Sequence, residues 1–252
     1  MRERVPPIRV QRFSAVTSTN DVAREMVSRG DRIGALVVAD HQTAGRGRRG
    51  RRWFSPPGVG LWATWIVSPP LEGKALFTLG LATAVGICKA VEQGYTARPA
   101  IQWPNDLLLD GRKFCGILVE VMRDRKGAHV ALIGMGINLN QQRGDFPPSL
   151  RGIPTSIREV TGKAVDRKRF LEEIKSPLRR EVQCVFDQGF EGIKRDYLER
   201  SNLIGKRVTV RLAGGNLEGR VVDFSPFGEL MIRDDARFIR TLTHGEVHRV
   251  WR

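Results

Sequence analysis

The hydrophobic pattern of the chain changes near residue 202, and this change limits the folds that the chain can adopt. Before it, strand-like and helix-like segments alternate. After it, five short stretches with alternating apolar residues follow one another, separated by Gly and Asp turns, which is typical of a small all-β barrel. A length of 252 residues allows one large domain and one small one. The pattern predicts a first domain over 1–201 and a second over 202–252.

The larger domain is predicted to be a mixed α/β (α+β) fold, because short apolar strands are interleaved with helices. Between two of the strands, Asp110-Gly111 suits the two-residue turn of a β-hairpin. The predicted strands are 10–16, 35–39, 61–67, 100–103, 107–109, 114–121 and 130–139. The predicted helices are one that ends at Gly30, one over 74–93, and a helical segment over 155–200 punctuated by Pro177 and Gly189.

The composition says more about the cellular compartment of the protein than about its function. The chain has 42 Lys and Arg against 27 Asp and Glu, a net charge of +15, which suits nucleic acid, acidic proteins or anionic metabolites. Its three Cys form no CxxC pair, and the first twenty residues lack the apolar core of a secretory signal. The longest apolar stretch, 75–91, is interrupted too often by Thr, Gly and Lys for a bilayer span. A cytoplasmic protein with no membrane partner is expected.

One dense basic run, 46–52, lies among glycines. The string at 45–50 (GRGRRG) matches G-x-G-x-x-G, but two prolines at 56–57 prevent the long helix that a dinucleotide fold needs after it. Glycines let the backbone approach a ligand, and three arginines of the run offer forked donors for carboxylate or phosphate. We expect this loop to be mobile until an anion binds. A flexible nucleic-acid-binding loop is the alternative.

Three further motifs are found at the ends of predicted strands. Asp106 either belongs to a plain turn or directs a carboxylate, with a divalent ion, toward triphosphate oxygens. Lys113 is flanked by apolar residues and lies close in sequence to Gly116, where its charge can reach a phosphate. The glycines of 134–138 (GMGIN) serve either close packing or a ligand ring.

Taken in order, these motifs resemble the biotin protein ligases. The resemblance rests on STN at 18–20, HQTAGRGRRGRRW at 41–53, KALFTLGLATAVGI at 74–87, WPNDLLL at 103–109, GRKFCGILVE at 111–120 and GMGIN at 134–138. It implies a mixed-sheet catalytic domain of the class II synthetase and biotin ligase type, with a small C-terminal SH3-like β-barrel. It also implies an ATP- and Mg²⁺-dependent reaction, in which biotin becomes biotinyl-5′-AMP and is passed to one lysine of a biotin carboxyl carrier protein.

The resemblance assigns roles to single residues as well. Biotin is implied to bind Ser18, Thr19, Asn20, Gln42, Gly45, Arg46, Gly47, Arg48, Lys113 and Gly116. The nucleotide is implied to bind Arg48, Arg51, Trp53, Lys113 and Asn138, with the indole covering the adenine. Lys113, Arg48 and Arg51 are the implied catalytic residues, and Asp106 is the implied carboxylate on the side of the metal.

Some biotin protein ligases carry an N-terminal winged helix-turn-helix and act as repressors. Only seventeen residues precede Ser18, which is too few for such a module. We therefore expect the form of the ligase that lacks this domain, without specific DNA binding. The expected state is a monomer or a homodimer.

Two other functions stay open. A lipoate-type protein ligase shares the general fold and the adenylation chemistry, although the GRGRRGRxW string favours biotin. A basic nucleic-acid-binding protein is the alternative outside enzymes. Against it, the aromatic residues of the C-terminal domain form no clear stacking strip: Phe224, Phe227, Phe238 and Trp251.

Overall fold

The computed structural model of the chain describes residues 5–30, 33–150, 152, 154–201 and 203–250. The strands of the first sheet are β1 (Arg9–Val16), β2 (Ala35–Gln42), β3 (Gly60–Val67), β4 (Ala100–Gln102), β5 (Asp106–Leu109), β6 (Arg112–Arg123) and β7 (His129–Asn138). The helices are α1 (Thr19–Arg29), α2 (Thr78–Gly94), α3 (Ile157–Thr161), α4 (Arg167–Gln188) and α5 (Glu191–Arg200). The strands of the second sheet are β8 (Arg207–Leu212), β9 (Gly215–Phe224), β10 (Leu230–Arg233), β11 (Ile239–Leu242) and β12 (Glu246–Val250).

The first sheet has seven strands in the order β1-β2-β3-β7-β6-β5-β4. Its β1–β2 pair is parallel and its other neighbours are antiparallel, which confirms the predicted mixed sheet. Helix α1 covers one face of the sheet, where Ala23 and Val27 pack with Ile66 of β3. On the other face, α2 packs under α4 and α5 within the main apolar core.

Helix α2 is the central helix of this core. A turn of 3-10 helix, Gly73–Phe77, leads into it. Within the described part of the chain, Gly73–Gly94 is the one helical segment long and apolar enough to cross a membrane, and 67% of its most apolar window is buried inside the protein. It approaches α4 closely at Gly86, where a Cβ atom would lie 3.1 Å from Leu178 Cα. The prediction that Pro177 interrupts the helical segment is wrong, because this proline lies inside α4, whereas Gly189 ends the helix as predicted.

The second sheet is antiparallel, in the order β11-β10-β9-β8-β12, and its strands match the five predicted stretches. It packs against the first domain: Trp103 Nε1 donates to the Gly228 carbonyl at 3.1 Å, and the rings of Tyr197 and Phe224 meet at 5.1 Å. The apolar core is therefore continuous between the two sheets. The domain boundary at 201/202 stays a prediction, and Asn202 and Trp251 lie outside the described residues.

Candidate active site

The arginine-rich loop between β2 and β3 folds back on itself as a short hairpin. The backbone N–H of Trp53 donates to the Gly45 carbonyl at 2.8 Å, and that of Gly47 donates to the Arg51 carbonyl at 2.7 Å. One turn of 3-10 helix, Arg48–Gly50, forms its tip. A tight turn thus stands where a dinucleotide fold would have a long helix, as the prolines predicted.

Carboxylate and amide groups from outside the loop hold three of its arginines, and two of these lie over the small cavity described below. Arg46 Nη2 lies 2.6 Å from Asp21 Oδ1 and 3.3 Å from Glu120 Oε2. Arg48 Nη1 donates to Asn105 Oδ1 at 2.7 Å. Partial burial, followed by the charge of neighbouring Arg49, lowers the pKa of Arg48. These partners could not be read from the local sequence, and the expected mobility of the loop stays a prediction.

A small cavity of about 50 Å³ lies beneath the loop, and one end of it is polar. Ser18, Thr19 and Asn20 are each 3% exposed at the start of α1, where Ser18 Oγ caps the helix by accepting the Asn20 N–H. Gln42, at the end of β2, accepts the Thr19 backbone N–H at 2.9 Å. The parallel pairing of β1 with β2 brings these four residues together, and their assignment to biotin, which the resemblance implies, stays a prediction.

The floor of the small cavity is main chain. Gly116 of β6 and Gly136 of β7 are register partners, and the indole of Trp53 lies over both. A Cβ atom at Gly136 would lie 2.3 Å from Trp53 Nε1, and one at Gly116 would lie 2.9 Å from Trp53 Cζ3. Trp53 Nε1 is buried and has no hydrogen-bond partner among the described residues. In this structure Trp53 thus occupies the floor of the small cavity; its predicted place over an adenine stays a prediction.

A second cavity, of about 460 Å³, adjoins the first between the loop, the β4–β5 turn and β12. Lys113 stands where they meet, with Nζ 2.7 Å from Asp106 Oδ1 and 5.2 Å from the centre of the Trp53 ring. Five residues line both cavities: Gly47, Arg48, Trp53, Asn105 and Lys113. The junction between a small polar pocket and a larger cleft is therefore cationic.

Three other residues predicted for the site lie away from this junction. Asn138 and Arg51 line the larger cleft only. The Asn138 amide is engaged at both ends, by the Thr155 carbonyl at 3.0 Å and Gln141 Nε2 at 3.0 Å. Gly45 lines neither cavity, and a Cβ atom there would lie 2.6 Å from the Trp53 carbonyl oxygen. Its place in the fold is the close packing of the two ends of the loop.

Sequence reasoning missed several residues of this region. Glu120 contacts Asn20 and Arg46, and the two-residue period of β6 places it on the same face as Gly116, so that alternation could have found it. Glu246 contacts Arg51 across the larger cleft. Nothing in the local sequence around Glu246 indicates this contact, because it joins segments 195 positions apart.

Comparison with known proteins identifies the class of protein to which this fold and site belong. Residues 13–138 match the biotin/lipoate A/B protein ligase family, and residues 203–249 match the C-terminal domain of biotin protein ligases. The chain belongs to the biotin/lipoate A/B protein ligase family. The C-terminal match and the relatives below place it with the biotin protein ligases, which confirms the resemblance and the predicted fold class.

The relatives are similar over most of this chain. It is 33% identical over 217 residues to the bifunctional ligase/repressor BirA of Bacillus subtilis, covering 86% of this chain and 67% of that protein. It is 31% identical over 242 residues to the biotin–[acetyl-CoA-carboxylase] ligase of Mycobacterium tuberculosis, covering 92% and 85%. The solved structure of the biotin protein ligase from Aquifex aeolicus in complex with biotin and ATP matches with a TM-score of 0.82 at 28% identity, covering 94% of this chain and 96% of that chain.

Proposed function

We propose that this protein activates biotin with ATP and transfers it to a lysine of a biotin carboxyl carrier protein. The biotin carboxylate attacks the α-phosphorus, the bond to pyrophosphate breaks, and biotinyl-5′-AMP forms. The lysine amine then attacks the carbonyl carbon, an amide forms, and AMP and a proton leave. The observation that carries this proposal is the cationic junction, at which a small polar pocket meets a larger cleft.

The small cavity suits the ring end of biotin. Ser18, Thr19, Asn20 and Gln42 supply hydrogen-bonding groups at its polar end, and a glycine floor leaves room for a bicyclic ring. Its volume of about 50 Å³ is well below that of a pocket for a molecule of this size, roughly 300 Å³ or more. We therefore propose that Trp53 leaves the floor when biotin enters and moves toward the adenine side.

The junction suits the reacting groups, which are two anions. Their repulsion is the main barrier, and Lys113 and Arg48 line the place where the two cavities meet, with Arg51 at the edge of the cleft. Cations fixed in place before the reaction stabilise the charge that develops in the transition state. We assign charge neutralisation to these three residues and assign proton transfer to none of them. Asn138 of the cleft is proposed to contact the nucleotide.

Magnesium arrives with ATP as part of the substrate, and Asp106 is the carboxylate that we propose faces it. Its Oδ1 lies 2.7 Å from Lys113 Nζ and accepts from Asn105 Nδ2 at 2.9 Å. A single carboxylate at the edge of the cleft fits an ion that takes most of its ligands from water and phosphate. The described residues contain no group of three or more His, Cys, Asp and Glu able to hold a metal by themselves.

The arginine-rich loop lies over the small cavity and is proposed to shield the adenylate. A mixed anhydride is destroyed by water, and a loop that covers it keeps water out until the acceptor lysine docks.

The net charge of +15 supports attraction of an acidic carrier domain. High salt should then slow the transfer step and leave adenylate formation unchanged. The three cysteines are free thiols, which supports the proposed cytoplasmic location.

Titration calorimetry with biotin, with and without ATP, tests this function, and lipoic acid serves as the comparison ligand. We expect biotin to bind, ATP to strengthen that binding, and pyrophosphate to be released when both are present. Preferential binding of lipoic acid would favour a lipoate-type ligase. Absence of biotin binding would refute the proposal.

A further inference from the structure

A chain of side-chain hydrogen bonds runs from the polar end of the small cavity to Glu120 on β6. Thr64 Oγ1 lies 2.7 Å from Thr19 Oγ1 and 2.6 Å from Asn20 Oδ1. Asn20 Nδ2 then donates to Glu120 Oε2 at 2.6 Å. Thr64 is fully buried and Asn20 is 3% exposed, so water does not compete for these groups. Glu120 does not line the cavity itself, but this chain of hydrogen bonds connects it to the residues that do.

The carboxylate of Glu120 fixes how the Asn20 amide is turned, and this sets the direction of the bond between Asn20 and Thr64. A carboxylate only accepts, so Asn20 must turn its NH₂ group toward Glu120 and its oxygen toward Thr64. Thr64 has one hydroxyl proton, which must go to that oxygen. The hydroxyl proton of Thr19 then has two acceptors inside the protein, Thr64 Oγ1 at 2.7 Å and Gln42 Oε1 at 3.2 Å. Thr19 is left with lone pairs, and it can offer a ligand in the cavity an acceptor only.

The side-chain amide of Gln42 is also fixed in orientation, but it presents a donor to the cavity where Thr19 presents an acceptor. Its Oε1 accepts the Thr19 backbone N–H at 2.9 Å, and its Nε2 donates to Ser55 Oγ at 2.8 Å. An NH₂ group carries two donors, and the second N–H of this amide has no partner among the residues that the structure describes. The polar end of the cavity therefore combines a hydroxyl that accepts with an amide that donates. A cyclic urea, with N–H beside C=O, is the chemical group that matches this order.

We propose that Glu120 is a positioning residue that sets the donor and acceptor order of the biotin pocket through Asn20 and Thr64. This inference rests on the proposed function. The packing of Asn20 adds a requirement at Gly134, where a Cβ atom would lie 2.4 Å from Asn20 Oδ1. A side chain there would push Asn20 away from both of its partners.

Glu120→Gln tests the proposal, because an amide of the same shape can donate to Asn20 and reverse the whole chain. Thr64 would then donate to Thr19 and occupy one of its lone pairs, while the Thr19 proton goes to Gln42 Oε1, so Thr19 accepts less well from a ligand N–H. We expect the dissociation constant of biotin to rise about three- to tenfold, the range for one hydrogen bond between neutral groups. We also expect the preference for biotin over its two cyclic carbamate analogues, in which one or the other ring N–H is replaced by oxygen, to fall by a similar factor. KM for ATP should not change.

Glu120 also forms ion pairs with Arg24 at 2.9 Å and with Arg46 at 3.3 Å. The two control variants here test the pair with Arg46 and the charge of α1, and the Thr64 variants below leave both ion pairs in place. Asp21→Asn removes the shorter ion pair of Arg46, at 2.6 Å, and leaves the Asn20 chain intact. Glu25→Gln changes an exposed carboxylate on the outer side of α1, whose ion pair within the described part of the chain is with Arg29 at 3.5 Å. Both should keep the wild-type preference for biotin over the carbamates. If Asp21→Asn reproduces the effect of Glu120→Gln, the effect comes from Arg46 and the proposal fails.

Thr64 provides a second test that leaves Glu120 in place. Thr64→Val removes the relay and should reduce the preference for biotin, whereas Thr64→Ser keeps the hydroxyl and should restore it. Wild-type protein that does not bind biotin would refute the proposed function. Wild-type protein that binds biotin, with unchanged preference in both Glu120→Gln and Thr64→Val, would overturn this inference alone.

Discussion

Arg51 of the arginine-rich loop and Glu246 of β12 form two parallel hydrogen bonds, with Nη1 2.8 Å from Oε1 and Nη2 2.6 Å from Oε2. The pair joins the loop to the C-terminal sheet across the larger cleft, which Val247 also lines. Hydrogen bonding from Arg51 lowers the pKa of Glu246. The C-terminal sheet thus fixes the position of a cation that we assign to the phosphate.

Glu246→Gln should therefore weaken nucleotide binding. Without the carboxylate, the half-exposed Arg51 side chain loses its fixed position at the edge of the cleft. We expect KM for ATP to rise about three- to tenfold, the effect of losing one hydrogen bond, while KM for biotin stays constant. Glu199→Gln, in the exposed pair with Arg195, is the matched control. A fall in KM for ATP would instead mean that Glu246 competes with the phosphate for Arg51.

The same pair predicts a pH dependence of stability. Because its pKa is lowered in the folded state, Glu246 contributes stability above its unfolded pKa and loses that contribution as the pH falls through the folded value. The difference in unfolding free energy between wild type and Glu246→Gln should be constant near neutral pH and vanish in acid. It should stay below about 1 kcal/mol, since the pair is partly exposed and screened by solvent. Urea unfolding between about pH 3 and pH 7 measures it, and a difference that grows in acid would contradict it.

Lys113→Ala should abolish most adenylate formation and leave the fold intact. The Nζ group lies at the junction of the two cavities, 2.7 Å from Asp106, and its loss removes charge stabilisation where the carboxylate meets the phosphate. A decrease of roughly 10²–10³ in the rate of biotin-dependent pyrophosphate release is expected. Lys163→Ala, at an exposed turn after α3, should behave as wild type. Normal pyrophosphate release by Lys113→Ala would refute the assigned role.

Arg48→Gly should release the adenylate before transfer. Arg48 holds the loop to the β4–β5 turn through its bond of 2.7 Å to Asn105, and glycine removes that anchor. The expected sign is biotinylation of unrelated lysines in added bovine serum albumin. Arg49→Gly is a close control, because Arg49 has a φ of 57° that glycine adopts without strain. The loop is not a seal if Arg48→Gly stays as selective as Arg49→Gly.

Biotin should change the fluorescence of Trp53. The indole lies over Gly116 and Gly136 with a buried N–H that lacks a partner among the described residues, so a ligand that displaces it changes its surroundings. Trp62, Trp65 and Trp103 are buried in the core and should contribute little to the change. Trp53→Phe should abolish the signal. If this variant keeps the full change on biotin addition, Trp53 does not move.

Much of the fold could be predicted from local pattern. The two-residue alternation predicted the C-terminal strands, and the Asp110-Gly111 turn has positive φ at both residues, as a type I′ turn requires. Pro177 shows where such reasoning fails: the rule against proline inside helices is local, whereas α4 is held along its length by packing on α2.

The candidate site could also be predicted only in part. Motifs on the chain predicted Thr19, Gln42, Arg48 and Lys113, which the fold brings together around the two cavities. The partners that orient them were not predictable, because contacts such as Asn20 with Glu120 join residues 100 positions apart. Only the pairing of strands in three dimensions determines those contacts.

The paired glycines Gly116 and Gly136 have a consequence for how this pocket can evolve. Most binding sites change their preference by exchanging one side chain for a larger or smaller one. Here the floor of the pocket is backbone without side chains. Any substitution at either glycine adds atoms to the floor and makes the pocket shallower. Substitutions that let the pocket accept larger vitamin-like acids must therefore occur in the loop above it. The two strands below it cannot provide them.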